Sequence, residues 1–245
     1  MTDDMSNEYD VVVVGGGAAG LSGGLMLGRS RRSVLVIDSG APRNAPAAGV
    51  HGYLTREGIG PAGLLEIGRD EVRRYGVDLV DAEVTSISGA VDAGFVVAVA
   101  DGRTVKARRL LLTTGLIDEL PYITGLRERW GKDLLHCPYC HGWEVRDQAI
   151  GVLARNAWAV HQAQMFRQLS QDVTLFLNDA LTLSDEDAVS LSARGIRVVE
   201  GAVAAVESLG DKLTGVRLTD GTFVDREAVT VMPRFVARAG FLADL

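Results

Sequence analysis

Cysteine is almost absent from this chain of 245 residues, which contains only two. A framework of several disulfides is therefore excluded, and with it the small secreted folds that depend on one. Basic side chains are also in the minority: 25 Lys and Arg stand against 32 Asp and Glu, a formal net charge of −7. This balance disfavours nucleic acid as a partner and offers no basic face to a membrane.

The sequence also shows no targeting segment. Residues 1–10 are acidic rather than positively charged, and glycines interrupt the apolar run that follows. We therefore expect a cytoplasmic protein. The length allows two modest domains, and a hydrophobic fraction of 47% with a charged fraction of 23% is typical of ordinary soluble proteins.

Both cysteines lie in one short motif, His136-Cys137-Pro138-Tyr139-Cys140-His141. Two thiols separated by two residues can close a small disulfide ring, whose exchange depends on thiolate character, access and local charge. Because so short a ring removes little entropy from the unfolded chain, stabilisation explains it poorly. In a reducing compartment the pair is predicted to be redox-active.

Two other interpretations of the motif remain open. Its histidines and cysteines are zinc-type ligands, although four ligands on one short segment can hardly surround a tetrahedral ion. The cysteines could instead be buried thiols, although Pro138, Tyr139 and the flanking histidines would make that core unusually polar. A glutaredoxin-like motif is disfavoured, because it would open the first helix of its unit, whereas this motif precedes a strand.

The first part of the chain carries a strand–turn–helix pattern. A β-branched run at 9–14 leads into Gly15-Gly16-Gly17-Ala18-Ala19-Gly20 and a helix predicted over 21–29. In such a turn the first glycine makes the bend, the second admits a pyrophosphate, and the third allows close helix packing. A second strand at 34–37 ends in Asp38, where an acid accepts hydrogen bonds from ribose hydroxyls. A dinucleotide site is predicted, against the alternative of a glycine turn without a ligand.

Alternating strands and helices are predicted along the rest of the chain. In the first half they are a helix at 61–75 and strands at 78–80, 83–87, 95–99, 104–107 and 110–112, the last buried and ending in Thr113-Thr114-Gly115. In the second half they are strands at 148–153, 173–177 and 229–232, a helix at 157–169, and a hairpin turn at Asp220-Gly221. This order predicts an α/β fold of two Rossmann-like three-layer domains, residues 1–117 and 118–245.

The second half repeats the first at an offset of 139 residues, the distance from Gly15 to Ala154. The three turn glycines then correspond to Ala154, Asn156 and Ala159. Arg155 and Trp158 add bulk where a pyrophosphate needs close approach, and no paired arginines follow the next strand to bind the 2′-phosphate of NADPH. We expect the second fold to be kept and its dinucleotide site to be lost.

These features resemble, in order and over nearly the whole chain, the low-molecular-weight thioredoxin reductase-like family of FAD-dependent pyridine nucleotide-disulfide oxidoreductases. The resemblance implies FAD on the first domain and the redox disulfide on the second. It also implies that Cys140 is the flavin-proximal sulfur and that Cys137 is the interchange thiol. The reductases usually have Asp after the second cysteine; here His141 is expected to carry the acid–base role, unless it only satisfies a backbone carbonyl beside Gly142.

The predicted cofactor-binding residues lie in the first half of the chain. Two of them, Arg43 and Asn44, could equally belong to a surface loop that contacts solvent and not the cofactor. The set is Gly15, Gly17, Ala18, Ala19, Gly20, Asp38, Ser39, Arg43, Asn44, Thr114 and Gly115.

Within the family, the combination of His141 with an altered second turn is similar to the pattern of flavin-dependent dithiol oxidases. In those enzymes electrons pass from a substrate dithiol through the disulfide to FAD and oxygen. The same combination also resembles reductases that take electrons from ferredoxin. An NADPH-dependent thioredoxin reductase is the alternative. The expected partner is a small dithiol or disulfide, or a thioredoxin-like protein, and a homodimer is possible.

The chain continues only from Met232-Pro233-Arg234-Phe235 to Leu245, whereas the family carries a further segment with a Gly-Asp motif and a helix aimed at the flavin. The sequence therefore predicts an FAD domain without this return segment. A chain of this kind could also serve as a non-catalytic binding or redox-sensing module.

Overall fold

The computed structural model describes residues 7–243 and residue 245. They fold into two compact units: unit 1 is Met1–Ala45, Ile59–Ile117 and Phe235–Leu245, and unit 2 is Pro46–Gly58 and Asp118–Arg234. This division differs from the predicted domains, 1–117 and 118–245, in two segments. Residues 46–58 join unit 2, and residues 235–245 join unit 1, where Phe241 and Leu242 pack against an apolar core.

Unit 1 is built on one six-stranded sheet, in the order β3-β2-β1-β6-β5-β4. The first four strands in this order pair in parallel. Strand β5 then pairs antiparallel with β6, and β4 pairs antiparallel with β5. The elements are β1 (Glu8–Val14), α1 (Ala18–Arg29), β2 (Val34–Asp38), α2 (Pro61–Arg73), β3 (Asp78–Asp81), β4 (Val84–Ala90), β5 (Gly94–Val99) and β6 (Thr104–Leu112).

The strands predicted at 104–107 and 110–112 are one strand, β6. Arg108 and Arg109 interrupt the apolar pattern, but the ladder to β1 continues past them to the pair Val14 and Leu112. The prediction of a buried strand was also wrong, because Leu112 is 42% exposed. The other strands and helices predicted for unit 1 are confirmed, with shifts of a few residues at their ends.

Strand β1 lies inside the sheet, so its side chains alternate between two cores. Val12 and Val14 join the core on the side of β4 and β5. Val13 joins the core beneath α1 and α2. A strand buried on both faces explains the continuous β-branched run in the sequence.

Unit 2 has a parallel sheet in the order β11-β10-β9-β15-β8 and an antiparallel sheet in the order β12-β13-β14. The chain enters this unit through β7 and leaves through β16, and these two strands pair with each other. Strands β7 (Leu116–Glu119) and β16 (Arg234–Ala237) each span a boundary between the units. The elements of unit 2 are β8 (Leu134–Leu135), α3 (Pro138–His141), β9 (Ile150–Leu153), α4 (Trp158–Phe166), β10 (Val173–Phe176), α5 (Asp185–Ala193), β11 (Arg197–Val199), β12 (Val203–Leu209), β13 (Lys212–Leu218), β14 (Phe223–Asp225) and β15 (Ala228–Val231).

The two units share a topology. The order β11-β10-β9-β15 in unit 2 repeats β3-β2-β1-β6 in unit 1. Strands β1 and β9 end at Val14 and Leu153, which are again 139 residues apart. The predicted α/β fold of two Rossmann-like three-layer domains is confirmed. Within the described part of the chain, no helix is both long enough and apolar enough to cross a membrane.

Candidate active site

The glycine turn of unit 1 is closed on one side and open on the other. Gly15 has a φ of +103°, and a Cβ there would lie 2.5 Å from the Thr113 carbonyl oxygen. A Cβ at Gly20 would collide with the Gly15 carbonyl oxygen, so both glycines are required by packing. A Cβ at Gly17 would meet nothing within 4 Å. The fold does not require that glycine, and its bare backbone leaves room for a ligand to approach.

Thr113 ties this turn to the sheet, and sequence reasoning did not single it out. Its hydroxyl lies within hydrogen-bonding distance of the carbonyl oxygens of Val14 at 3.0 Å and Gly15 at 2.8 Å, and it can donate to either. Its amide donates to the Val14 carbonyl at 2.9 Å. The signal was present as a threonine at the end of the strand beside β1, but its role depends on the pairing of strands far apart in sequence.

The N-terminus of α1 presents backbone without a polar cap. Gly17 is the N-cap residue and makes no side-chain capping bond, and the first turn carries no acidic side chain. Ala18 and Ala19 are exposed. An uncapped helix start of this kind, with its backbone donors and positive dipole end, suits a phosphate group.

Asp38 ends β2 beside the same turn, where a Cβ on Gly16 would lie 2.7 Å from the Asp38 Cβ. Its Oδ2 accepts from Arg69 of α2 at 3.2 Å, and Arg69 also donates to Asp81 at 2.5 Å. The Asp81 hydrogen bond is the main reason that the pKa of Arg69 is raised. A carboxylate has several acceptor positions, so Asp38 can still accept from hydroxyls. No pattern in the sequence pointed to Arg69.

Three predicted cofactor residues, Ser39, Arg43 and Asn44, are exposed on the segment that follows β2. The Arg43 guanidinium lies 5.1 Å from the centre of the Phe235 ring. Part of this segment therefore contacts residues that return to unit 1 at the end of the described chain.

The predicted residues Thr114 and Gly115 meet the same returning segment. The Thr114 hydroxyl donates to the Arg238 carbonyl at 2.9 Å, and the Arg238 amide donates to the Gly115 carbonyl at 3.3 Å. Arg238 also donates to the Ala41 carbonyl at 3.0 Å. Phe235 and Arg238 therefore tie the end of β6 to the loop after β2, which the sequence did not predict.

The cysteine motif of unit 2 forms α3. Pro138 is at its first position, where its fixed φ is favourable, and the amides of Cys140 and His141 donate to the Cys137 carbonyl at 3.3 and 3.2 Å. The motif is therefore itself a short helix, and a single 3-10 turn, Trp143–Val145, follows it. Cys137 is half-buried and Cys140 is exposed, both as thiols. This overturns the alternative of two thiols buried in a core.

His141 is a half-buried imidazole next to Cys140. Its ring hydrogen-bonds the backbone of Gly49, so the carbonyl it satisfies is not one beside Gly142. Its Nε2 is buried and has no hydrogen-bond partner within the described part of the chain. Burial is the main cause that lowers the pKa of His141, while the charge of Glu144 raises it. A neutral ring of this kind can accept a proton near neutral pH.

His136, on the other side of the cysteines in sequence, has structural contacts. Its Nε2 lies 3.0 Å from the sulfur of Met232. Its carbonyl accepts from the buried Gln162 at 2.9 Å and from the Thr230 hydroxyl at 3.3 Å. The two histidines of the motif therefore have different surroundings.

The turn after β9 is filled by the chain itself. Arg155 donates to the carbonyls of Glu119 at 3.0 Å and Met232 at 3.2 Å. Asn156 accepts from the amide of Trp158, the first residue of α4, at 3.0 Å. Arg155 therefore bonds carbonyl oxygens of neighbouring segments, and Asn156 occupies an amide at the start of the helix, one of the donors that a pyrophosphate would use.

Asn178 stands after β10, at the place where an NADPH-binding unit needs basic side chains. Its backbone is left-handed, with φ of 53°, and its amide nitrogen donates to the Ala154 carbonyl at 3.3 Å. Its side-chain oxygen accepts from the Val203 amide at 2.8 Å. Here too a side chain bonds the protein's own backbone.

The predicted site residues thus form two sets: the cofactor residues lie in unit 1, and the cysteine motif with His141 lies in unit 2. Among the described residues, no group of three or more His, Cys, Asp or Glu is arranged to hold a metal ion. The sequence predicted the members of each set but not the residues that contact them in the folded chain.

Comparison with known proteins identifies relatives across most of the chain. Residues 9–232 match the pyridine nucleotide-disulphide oxidoreductase family. The thioredoxin reductase tcpT of Claviceps purpurea is 33% identical over 98% of this chain and 78% of its own length. The chain spans from 44% to 78% of the length of three similar fungal relatives.

Solved structures give the same result. HlmI is 49% identical with a TM-score of 0.92, over 98% of this chain and 76% of that one. An oxidoreductase from Agrobacterium tumefaciens is 35% identical with a TM-score of 0.90, over 97% and 79% of the two chains. The chain therefore belongs to the pyridine nucleotide-disulphide oxidoreductase family, in which it is thioredoxin reductase-like.

Proposed function

We propose that the chain is an FAD-dependent thiol–disulfide oxidoreductase that works as a dithiol oxidase on a small substrate. The observation that carries this proposal is the contrast between the two turns. The turn at Gly17 is open, whereas the corresponding turn of unit 2 is occupied by Arg155 and Asn156. The contrast supports a flavin dinucleotide in unit 1 and speaks against a nicotinamide dinucleotide in unit 2.

The residues of unit 1 suit FAD. The bare first turn of α1 and the open side of Gly17 suit its pyrophosphate, and Asp38 suits a ribose. When bound, FAD accepts the two electrons that the cysteine pair releases and passes them to oxygen. Further binding residues under this proposal are Ser39, Arg43, Asn44, Thr114 and Gly115.

The exchange begins with the cysteine pair in its disulfide form. A substrate thiolate attacks the sulfur of Cys137, so a mixed disulfide forms, the Cys137–Cys140 bond breaks and Cys140 leaves as a thiolate. The second substrate thiolate then attacks the substrate sulfur of the mixed disulfide and releases Cys137. The substrate has lost two electrons and two protons. The cysteine pair has gained the electrons, and the protons go to His141 and the cysteine thiolates.

His141 is proposed as the proton acceptor in this exchange. It directly follows Cys140, and burial lowers its pKa, so the neutral form is available at physiological pH. The carboxylate that usually stands at this position in the reductases would titrate lower. A base that titrates near neutrality suits a reaction in which thiols must be deprotonated.

A second candidate is supported by the names of the relatives, several of which are called thioredoxin reductases. In that function electrons would pass in the opposite direction, from NADPH or ferredoxin to a thioredoxin-like protein. A third candidate is a binding or redox-sensing module without turnover. We also propose a cytoplasmic location, because a lone cysteine pair acts there as a redox device, and possible assembly as a homodimer.

The first test is the visible spectrum of the purified protein. We expect bound flavin, bleached by dithiothreitol under anaerobic conditions and restored by air. Cys140→Ser should retain the flavin but bleach far more slowly. A protein that neither contains flavin nor takes it up from added FAD would contradict both enzymatic candidates and leave the non-catalytic module.

A further inference from the structure

Residues 46–58 of unit 2 form a loop that closes around His51. The Gly58 amide donates to the Val50 carbonyl at 2.9 Å, and the Gly52 amide donates to Glu57 Oε2 at 2.8 Å. The other oxygen of Glu57 lies 2.7 Å from His51 Nδ1. Glu57 therefore bonds the loop backbone and the imidazole together, and this fixes the orientation of the His51 ring.

The other side of the His51 ring meets the cysteine motif. Its Nε2 lies 3.5 Å from Glu144 Oε1, in the turn that follows α3. The ring centres of His51 and His141 are 6.0 Å apart, with planes at 86°. Gly49 lies against both rings, because its backbone bonds His141 and a Cβ on it would be 3.2 Å from His51 Nε2. The loop thus places a second imidazole beside the proposed proton acceptor.

We propose that His51 is a positioning residue for His141: the imidazolium held by Glu57 keeps the His141 ring neutral, ready to take a proton from a thiol. This inference rests on the proposed function of His141. The step that it supports moves a proton and no electrons. The S–H bond of a thiol breaks, an N–H bond forms on His141, and the sulfur is left as a thiolate.

The charges around the two rings support this arrangement. The pKa of His51 is raised, mainly by its hydrogen bond to Glu57; burial opposes this, and the charges of Glu144 and Glu57 add to it. The pKa of His141 is lowered, mainly by burial, and the positive charge of His51 lowers it further. Glu144 and the Gly49 backbone act in the opposite direction on His141. In the pH range between these two pKa values, His51 is therefore charged and His141 is neutral.

The other charged side chains of these segments point to different partners. Arg56, on the loop, donates to the Thr55 carbonyl at 3.0 Å. Arg146, after α3, donates to the Trp143 carbonyl at 2.8 Å and lies 4.2 Å from the centre of that ring. The charges that act on the two rings include Glu144 on both, Glu57 on His51, and His51 on His141. The titratable thiol of Cys140 directly precedes His141.

These contacts predict the direction in which each of three substitutions should shift the titration midpoint of His141. His51→Gln removes the positive charge beside His141, so the titration midpoint of His141 should rise. Glu57→Gln removes the partner that favours the charged form of His51, so the midpoint should move in the same direction, by less. Glu144→Gln removes the negative charge that favours protonated His141, so the midpoint should fall.

The experiment follows the His141 ring by NMR as a function of pH in the full chain with reduced cysteines. This measurement requires no turnover. His161→Gln is the matched control, because His161 is an exposed histidine on α4 that contacts Trp158. It should leave the His141 midpoint unchanged. In the flavin-loaded protein, the pH–rate profile of dithiol oxidation should shift in the same direction as each midpoint.

The outcomes separate this inference from the proposed function. An unchanged His141 midpoint in both His51→Gln and Glu57→Gln would overturn the inference, even in a protein that oxidises dithiols. Opposite shifts in His51→Gln and Glu144→Gln would support it. Those shifts in a protein that binds no flavin would sustain the coupling of the two rings and remove the proposed function.

Discussion

The turn after β1 and the turn after β9 occupy the same place in two units of the same topology, yet they have opposite characters. Around Gly17 no atom of the described chain would meet an added Cβ. In the corresponding turn, Arg155 and Asn156 bond the protein's own backbone. Under the proposed function, the shared fold does not decide whether a dinucleotide binds, and a few side chains in one turn make that difference.

The same comparison bears on where the chemistry of unit 2 is proposed to lie. The proposed reactive groups are not on the turn after β9 but on α3, which precedes that strand and carries Cys140 and His141. Changes to α3 should therefore affect chemistry, changes to the first turn should affect FAD binding, and changes to the second turn should affect stability without changing FAD affinity.

The largest effect is expected for His141. Replacement by alanine removes the proton acceptor, and placed acid–base groups typically contribute about a hundredfold to ten-thousandfold in rate. We predict that His141→Ala lowers dithiol turnover by a factor in that range while the flavin content stays unchanged. Steady-state rates per bound flavin measure this directly.

His136→Ala is the control, because its ring contacts Met232 and it belongs to the same motif. It should cost less than His141→Ala. A larger loss at His136 would show that the proton acceptor has been assigned to the wrong histidine. His141→Asp should retain some activity with a lower pH optimum, because a carboxylate titrates lower than an imidazole.

The next effect concerns the open turn of unit 1. A leucine at position 17 meets no protein atom at its Cβ, so Gly17→Leu should fold, but its side chain would block backbone approach to a pyrophosphate. Loss of one hydrogen bond to a charged group, about 1.5–3 kcal/mol, weakens binding by roughly ten- to hundredfold. Titration of the apoprotein with FAD measures this loss.

Gly60→Leu is a close control, because Gly60 is also a helix N-cap in unit 1 with open space around its Cβ. It should retain the FAD affinity of the parent. Equal affinity in Gly17→Leu would show that this turn does not hold the pyrophosphate.

A smaller effect is expected in the closed turn of unit 2. Arg155→Ala removes hydrogen bonds to two carbonyls, and it should lower the free energy of unfolding by about 1–3 kcal/mol without changing FAD affinity. Urea unfolding measures this. Arg127→Ala, at an exposed arginine of the same unit, should remain within about 0.5 kcal/mol of the parent. A gain of NADPH binding in Arg155→Ala would show that the turn had been closed by this side chain alone.

The smallest effect expected is the pH dependence of the stability that the pairing of His51 with Glu57 contributes. The pKa of His51 is raised from 6.5, so its pairing is fully stabilising below that value and is lost as pH rises through the raised pKa. The pKa of Glu57 is lowered from 4.5, so its contribution is present above that value and is lost as pH falls through the lowered pKa. The pair therefore stabilises most between these two ordinary values.

Thermal unfolding of Glu57→Gln tests this sign. The difference in Tm from the parent should be larger at about pH 5.5 than at about pH 8. The pKa of His141 is lowered, so its contribution to stability depends on pH in the opposite direction. The test is therefore the difference in Tm between Glu57→Gln and the parent, in which the contribution of His141 largely cancels, and not the pH profile of either protein alone. Glu200→Gln, at an exposed glutamate, should show no such dependence. An equal difference at both pH values would contradict the pairing.

The sequence predicted those features that are local in the chain. The β-branched run of β1, the spacing of Gly15, Gly17 and Gly20, and the cysteine motif are all contiguous patterns. The helix α5 was missed because only Leu191 is buried in it, which leaves no apolar periodicity. Its N-cap Ser184, which accepts from the Asp187 amide, was a usable signal.

What the sequence could not predict depends on contacts between distant segments. Arg69 meets Asp38 across 31 residues, and Thr113 meets Gly15 across 98. His51 reaches His141 from a loop that sequence order had assigned to the other domain. Residue types at these positions are ordinary for helices, strands and loops, so only the folded chain shows their roles.

The central claim is that unit 1 holds a flavin which a dithiol, and not NADPH, reduces. The most direct measurement is anaerobic rapid mixing of the FAD-loaded protein with a small dithiol or with NADPH, followed by absorbance of the flavin. We expect fast bleaching by the dithiol and slow bleaching by NADPH. Fast bleaching by NADPH would contradict the claim, because the turn at Arg155 and Asn156 would then admit the dinucleotide that these side chains are proposed to exclude.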